Sequence, residues 1–155
     1  MTPQNIHDVL AASEFFKGFD TGDIEKVAAI CEVRACAAGG ILFQQGDLGE
    51  HLFVICDGLV HLERSMSFGN RKGNVVIETL GKSRVLGCWS TLINAPHIVM
   101  STAVCQRPTN VLVMQGVRLR ALMTSNIALG FNILERLCYL LRDRIQAAYG
   151  ALDKI

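Results

Sequence analysis

A series of short apolar segments separated by glycine turns, between Val33 and Val113, constrains the fold of this chain more than any other feature. The segments are rich in Val, Ile, Leu and Phe, and Gly-Gly, Asp-Gly and Gly-Asn pairs stand between them. β-Branched and aromatic residues favour strands, and glycine accepts the backbone angles of tight turns. Strands this short and numerous close into a roll or stack as two sheets. The pattern therefore predicts an antiparallel β unit of the jelly-roll type over about residues 33–114.

Helical patterns flank this β unit on both sides. Ahead of it, Thr2-Pro3 resembles a capped helix start, and apolar residues continue at helical spacing to about residue 31. Behind it, the spacing predicts a short helix and then a long one, together covering about residues 116–152. We therefore expect a single α+β domain over residues 1–155, mainly β, with flanking helices.

Apolar residues in the long last helix form two stripes. The first falls at alternating steps of four and three residues, the spacing of a coiled-coil seam, at Ile127, Phe131, Leu134, Cys138, Leu141, Ile145, Ala148 and Leu152. The second lies beside it, at Leu129, Ile133, Leu137 and Leu140. Since one stripe can pack on the β unit while the other meets a partner helix, the sequence favours a homodimer through the first stripe. A monomer whose single wide stripe packs on its own domain is the alternative.

Composition indicates a soluble globular protein. Half of the 155 residues are apolar and 19% are charged, which argues against disorder. No apolar run approaches the ~20 residues of a membrane helix. The first residues lack the basic region and continuous apolar segment of a secretory signal. A cytoplasmic location without membrane contact is expected.

The charges are unevenly distributed along the chain. Residues 1–63 carry ten acidic and three basic side chains (net −7), whereas residues 64–155 carry four acidic and twelve basic ones (net +8). This split favours attraction between the two halves or between subunits, and a basic rim around an anionic ligand is the alternative.

Cysteine and histidine spacing gives no clear metal or catalytic pattern. The six cysteines lack a C-x-x-C pair and are interpreted as small buried apolar groups. Cys88 is singled out because a thiol at a helix N-terminus can have a lowered pKa. His61 and Glu63 share one strand face, as ligands do in metal-binding cupin rolls, but a second neighbouring histidine is missing. We therefore predict no catalysis, metal or cofactor, with a cupin-like metal enzyme as the weakest alternative.

The segment from Arg84 to Val104 carries the only tryptophan and a candidate anion site. Ser90 or Thr91 is predicted to cap a short helix that ends before Pro96. A glycine followed by a helix N-terminus presents unpaired backbone N–H groups, which can hold an anion. A buried turn with the tryptophan as a core plug is the alternative.

Several motifs, in this order and spacing, resemble those of the cyclic nucleotide-binding domain family. They are Phe15-Phe16-Lys17-Gly18, the hairpin Gly40-Ile41-Leu42-Phe43-Gln44-Gln45-Gly46-Asp47, the strand turn Leu52-Phe53-Val54-Ile55-Cys56-Asp57-Gly58-Leu59-Val60, Leu86-Gly87 and Ala103-Val104. Leu86-Gly87 stands where the family has Phe-Gly at the start of its phosphate-binding cassette. The resemblance covers about residues 15–144. It implies the family's β roll (a double-stranded β-helix or jelly roll) with N-terminal helices and a long C-terminal helix, in a non-catalytic sensing module.

The same resemblance implies a ligand site in the cassette. Its residues are Leu86, Gly87, Cys88, Trp89, Ser90, Thr91 and His97. Cys88 stands where the family has a Glu for the ribose hydroxyl, and His97 where it has an Arg for the phosphate. A thiol is a poor acceptor and an imidazole cannot make the two-pronged contact of a guanidinium. Since each lost charge-assisted hydrogen bond costs about 1.5–3 kcal/mol, we expect weak or altered specificity for a cyclic nucleotide or another small anion.

Two further expectations concern partners. A degenerate structural or interaction domain is the second hypothesis, because the bulky Ile98, Val99 and Met100 are compatible with a filled pocket. Family regulators that bind DNA carry a helix-turn-helix after the long helix, and this sequence stops at Ile155. We therefore expect no DNA binding, with output through the dimer or a protein partner.

Overall fold

The computed structural model describes residues 3–154 and confirms the predicted α+β class. Its helices are α1 (Pro3–Ala12), α2 (Thr21–Ala28), α3 (Gly116–Ser125) and α4 (Ile127–Leu152). Its strands are β1 (Cys31–Cys36), β2 (Ile41–Phe43), β3 (His51–Asp57), β4 (Val60–Phe68), β5 (Arg71–Leu80), β6 (Val85–Gly87), β7 (Thr102–Cys105) and β8 (Thr109–Gln115). The predicted Thr2 cap lies outside the described residues.

Two four-stranded antiparallel sheets form the β roll. One has the order β1-β8-β3-β6 and the other β2-β7-β4-β5. Their inner faces share one apolar core, which includes Phe53, Ile55, Leu62, Leu86 and Val113. The predicted jelly-roll architecture is therefore confirmed.

Strand β3 is buried on both of its faces, which explains its continuous apolar sequence. Side chains alternate across a strand. Phe53 and Ile55 thus point into the roll, whereas Leu52 and Val54 pack with the helices. The first sheet therefore separates the roll interior from a second core formed with the helices.

Helix α4 packs one apolar stripe and exposes the other. Its start is capped by Asn126, whose side-chain oxygen accepts a 3.1 Å hydrogen bond from the Leu129 amide. The second stripe from the sequence, Leu129, Ile133, Leu137 and Leu140, is buried in the helical core. The residues of the first stripe from Ile127 to Ile145 are exposed, Ile127 and Phe131 to 75% and 64%. The two-stripe interpretation of the sequence is borne out in the fold of this helix.

The cysteines are less uniformly buried than expected. Cys56, Cys88 and Cys105 are buried, but Cys138 is exposed because it belongs to the outward stripe of α4. Burial, with a smaller contribution from the neighbouring Cys56, raises the pKa of the Cys31 thiol to about 12. The Cys31 thiol accordingly behaves as a neutral apolar group.

Across residues 3–154, none of the helices combines the length and the apolar character that a membrane crossing needs.

Candidate functional site

The candidate cassette begins at a glycine that no other residue replaces without strain. Gly87 ends β6 with φ +133°, and a Cβ added there would lie 2.4 Å from the His51 carbonyl oxygen. The next amide, that of Cys88, donates a 3.0 Å hydrogen bond to the same carbonyl. The turn is therefore fixed against β3, and the Cys88 amide is already paired rather than available to an anion.

The short helix of the cassette differs from the predicted one in its start. It is a 3-10 helix, Trp89–Ile93, with Cys88 in the N-cap position, and it ends at Asn94 with φ 55°. The Thr91 hydroxyl donates a 2.9 Å hydrogen bond to the Cys88 carbonyl. Thr91 also packs so closely on Gly116 that a Cβ there would lie 1.8 Å from its hydroxyl oxygen. Thr91 thus fastens the helix instead of capping it, and Ser90 lies inside the helix rather than at its N-cap.

The Cys88 thiol is packed into the turn. Its side chain is only 6% exposed, and a Cβ added at Gly49 would lie 2.2 Å from the Cys88 Cβ. The sulfur lies 3.2 Å from the Ser90 hydroxyl and donates to the His97 carbonyl at 3.5 Å. These contacts give Cys88 a role in holding the loop that follows the cassette.

The loop carrying His97 is held by the hairpin before β3. The Gly49 amide donates to the His97 carbonyl at 3.0 Å, and the Val99 amide donates to the Asp47 carbonyl at 2.9 Å. The imidazole itself is exposed, with Nδ1 2.8 Å from the Ile98 carbonyl oxygen. The backbone thereby fixes the His97 side chain at the edge of the site.

A cavity of about 600 Å³ lies between the cassette, the β roll and α4. The predicted site residues Leu86, Gly87, Cys88, Trp89, Ser90 and His97 line it, and so do Leu141 and Ile145 from the predicted dimer stripe. Thr91 is buried against Gly116 instead. Phe131, Leu134 and Cys138 lie in the exposed stripe of α4 outside the cavity wall. The structure therefore brings the cassette and the C-terminal half of α4 to one site.

Trp89 belongs both to the candidate site and to the core, the two alternatives that the sequence left open. Its ring packs against Phe15 with centroids 5.8 Å apart, at the edge of the helical core. The same half-buried side chain also forms part of the cavity wall.

The family model for the cyclic nucleotide-binding domain matches residues 33–126, which is more than half of the chain and includes the whole cassette. The chain belongs to the cyclic nucleotide-binding domain family. A search of curated proteins finds no match.

Solved structures share the fold at low sequence identity. A cyclic nucleotide-binding domain from Methylobacillus flagellatus has a TM-score of 0.78 and 23% identity, covering 99% of this chain and 84% of that one. A putative cyclic nucleotide-binding protein from Geobacter metallireducens has a TM-score of 0.70 and 21% identity, covering 94% of this chain and 98% of that one. The sensor domain of the transcriptional regulator DNR from Pseudomonas aeruginosa has a TM-score of 0.73 and 15% identity, covering 93% of each chain.

In this member of the cyclic nucleotide-binding domain family, two arginines that the sequence interpretation did not single out also line the cavity. Arg64, on β4, donates from Nη1 to the Met100 carbonyl at 2.5 Å. Arg144, on α4, pairs with Glu78 and donates to the Val85 carbonyl at 2.5 Å. Each lies far in sequence from the cassette, so only the packing of β4 and α4 on the cassette reveals them.

Glu78 also pairs with a second arginine, and the resulting network joins four parts of the chain. Arg84 lies 2.7 Å from Glu78 and 2.9 Å from Glu14. A further Glu14 oxygen accepts a 2.8 Å hydrogen bond from the Val85 amide. Burial lowers the pKa of Arg84, but its bonds to Glu78 and Glu14 outweigh this effect, and the pKa is raised overall. The network therefore ties α4 and the N-terminal segment to the strands that lead into the cassette.

The His61–Glu63 pair remains a simple side-chain contact on β4. His61 Nδ1 lies 3.8 Å from Glu63 Oε1. Among residues 3–154, no group of three His, Cys, Asp or Glu side chains is placed to hold a metal ion.

Proposed function

We propose that this protein is a non-catalytic ligand-sensing module that binds a small molecule with altered specificity between its cassette and α4. The observation that carries the proposal is the cavity of about 600 Å³, because sites for small molecules have about this size. The cassette residues Gly87, Cys88, Trp89, Ser90 and His97 contribute its wall on one side. Helix α4 contributes the other side.

The polar groups of the wall predict that ordinary cyclic nucleotides bind only weakly. Cys88 is engaged with Ser90 and His97, and the Cys88 amide is bonded to the His51 carbonyl. Neither group is therefore available to accept a ribose hydroxyl or to hold a phosphate. The remaining polar groups of the cassette include the exposed imidazole of His97 and the Ser90 hydroxyl.

The module acts as a single cytoplasmic domain that pairs with a second copy through the exposed stripe of α4. Occupancy of the cavity is passed on through this pair or to a protein partner, without contact with DNA or a membrane. The exposed apolar residues of α4 support this part of the proposal.

A thermal-shift panel tests the sensing role. The panel contains cyclic mononucleotides, cyclic dinucleotides, small organic acids, simple anions and divalent metals. A stabilising shift with an organic ligand, lost when Ala148→Phe fills the cavity from α4, is the expected result. A shift given by metals alone would instead support the cupin-like enzyme with His61 and Glu63.

A second candidate function is an interaction domain with no small ligand. The observation that favours it is again α4, since a row of exposed apolar side chains marks a contact surface as readily as a sensor. If no compound of the panel shifts the melting temperature of a folded protein with an intact α4 surface, this second function is supported.

A further inference from the structure

The cavity beneath α4 joins an apolar wall to an arginine that has no carboxylate within ion-pair distance among residues 3–154. We propose that its ligand is a monocarboxylate with an apolar body, the head at Arg64 and the body between the roll and α4. This inference rests on the ligand-sensing role proposed above and names the chemical class of the ligand.

Apolar side chains dominate every side of the wall. Leu62 and Ile77 come from the roll, Trp89 from the cassette, and Leu137 and Leu141 from α4. Each methylene that passes from water into such a wall strengthens binding about fourfold. An alkyl chain or aromatic ring therefore gains affinity from most of the surface that it meets.

The polar groups of the wall do not suit a sugar and base. No Asp or Glu side chain from the described part of the chain lines the cavity. The Cys88 thiol and the Ser90 hydroxyl face each other at 3.2 Å. The other polar side chains of the wall include Arg64, Ser101 and the exposed His97, so most hydroxyl and amino groups of a nucleoside would meet apolar side chains, which opposes their binding.

The two arginines of the wall differ in their charge balance. Arg144 is paired with Glu78, so its charge is compensated within the protein. Arg64 gives one hydrogen bond, from Nη1 to the Met100 carbonyl, and a guanidinium carries five N–H donors. Arg64 is exposed and lines the cavity, so its remaining donors are open to a ligand there. A carboxylate matches a guanidinium with two parallel hydrogen bonds, which fixes the head at Arg64.

Trp89 provides the readout, because it is the only tryptophan and lies in the cavity wall. Its emission is followed while decanoate, 4-phenylbutyrate, decan-1-ol or cyclic AMP is added below any micelle-forming concentration. We expect saturable changes with at least one of the two carboxylates, and the tighter of them identifies an alkyl or an aryl body. Decan-1-ol, with the same chain as decanoate and no charge, should bind at least tenfold more weakly than decanoate if the body is alkyl.

Variants locate the head and the body. Arg64→Gln should weaken carboxylate binding about ten- to hundredfold and leave decan-1-ol unchanged. Arg71→Gln removes an exposed arginine of β5 outside the cavity wall and should change nothing. Ala148→Phe should abolish the response to every probe, with an unchanged circular dichroism spectrum showing that the fold persists.

The outcomes separate this inference from the sensing role. Carboxylate binding that is insensitive to Arg64→Gln overturns the inference, and so does decan-1-ol that binds as tightly as a decanoate giving a saturable response. A cavity-dependent response to cyclic AMP with none to the carboxylates also overturns it while upholding the sensing role. Silence with all four probes in a folded protein overturns the inference, and silence across the wider thermal-shift panel overturns the sensing role as well.

Discussion

Two glycines set the shape of the cassette by leaving space for its neighbours. Gly87 has a positive φ of +133°, which residues with a side chain rarely adopt, and the His51 carbonyl occupies the space that a side chain would need. At Gly49 the Cys88 side chain occupies that place. Both contacts join the cassette to the segment around the start of β3. The wall of the cavity therefore depends on the absence of a side chain at these two glycines.

Replacing Gly87 tests this dependence. Gly87→Ala combines a strained φ with a clash against backbone, so the free energy of unfolding should fall by about 2 kcal/mol or more. Gly73→Ala, in β5, meets nothing within 4 Å and should change it by less than about 1 kcal/mol. Urea unfolding followed by circular dichroism gives both values. Equal losses for the two variants would show that Gly87 has no special role.

The sequence locates the cassette but cannot show which of its polar groups are free. Leu86-Gly87 and the following Trp89 are recognisable from local motifs, and they do line the cavity. The internal bonds of Thr91 and Cys88 depend on Gly116 and Gly49, which approach from distant parts of the chain. Spacing along one segment carries no information about such long-range contacts.

Helix α4 is the element that joins the cavity to the rest of the fold. Its inner stripe packs in the helical core, while Arg144 binds Glu78 on β5 and the Val85 carbonyl on β6. The Arg144 and Glu78 side chains are 13% and 16% exposed. A charge buried to this degree destabilises the fold unless an opposite charge pairs with it. The position of α4 over the cavity therefore depends on this pair.

Removing one partner should loosen α4. Arg144→Met leaves Glu78 with Arg84 alone, and the free energy of unfolding should fall by about 1–3 kcal/mol. Arg142→Met makes the same change at an exposed residue that pairs with Asp143 and lies over the Tyr139 ring, and a loss of about 1 kcal/mol or less is expected. Thermal or urea unfolding compares the two, and a loss at Arg142 as large as that at Arg144 would contradict the role of the network.

The two stripes of α4 follow from its sequence, because helical periodicity assigns each apolar residue to a face. The network of Glu14, Glu78, Arg84 and Arg144 does not follow from it, since Glu14 and Arg144 lie far in sequence from the other two and all four are residue types of an ordinary surface. Only the folded arrangement of the strands brings them together.

On the scale of the whole molecule, the order of patterns in the sequence is sufficient to predict the fold. Turn glycines between apolar segments indicate the roll, and the change to helical spacing after Met114 indicates α3 and α4. Self-association is a different matter, because an exposed stripe identifies a surface and not its partner. The homodimer therefore stays a prediction.

One substitution at the exposed stripe tests the dimer. Phe131 is 64% exposed and lies outside the cavity wall, so Phe131→Asp should weaken association at least tenfold without changing a side chain of that wall. Asn132→Asp adds the same charge on another face of α4 and should leave the dimer intact. Light scattering over a range of protein concentrations measures both. A wild-type protein that is monomeric throughout ends the proposal.

Leu141 and Ile145 are counted in both the cavity wall and the exposed stripe of α4. A second copy seated on that stripe would touch the same side chains that a bound ligand touches. Thermodynamic linkage then makes the two equilibria inseparable: whatever factor a ligand applies to the pairing of two chains, pairing applies to the affinity for the ligand. For such a protein the ligand's apparent dissociation constant becomes a function of how much protein the cell makes.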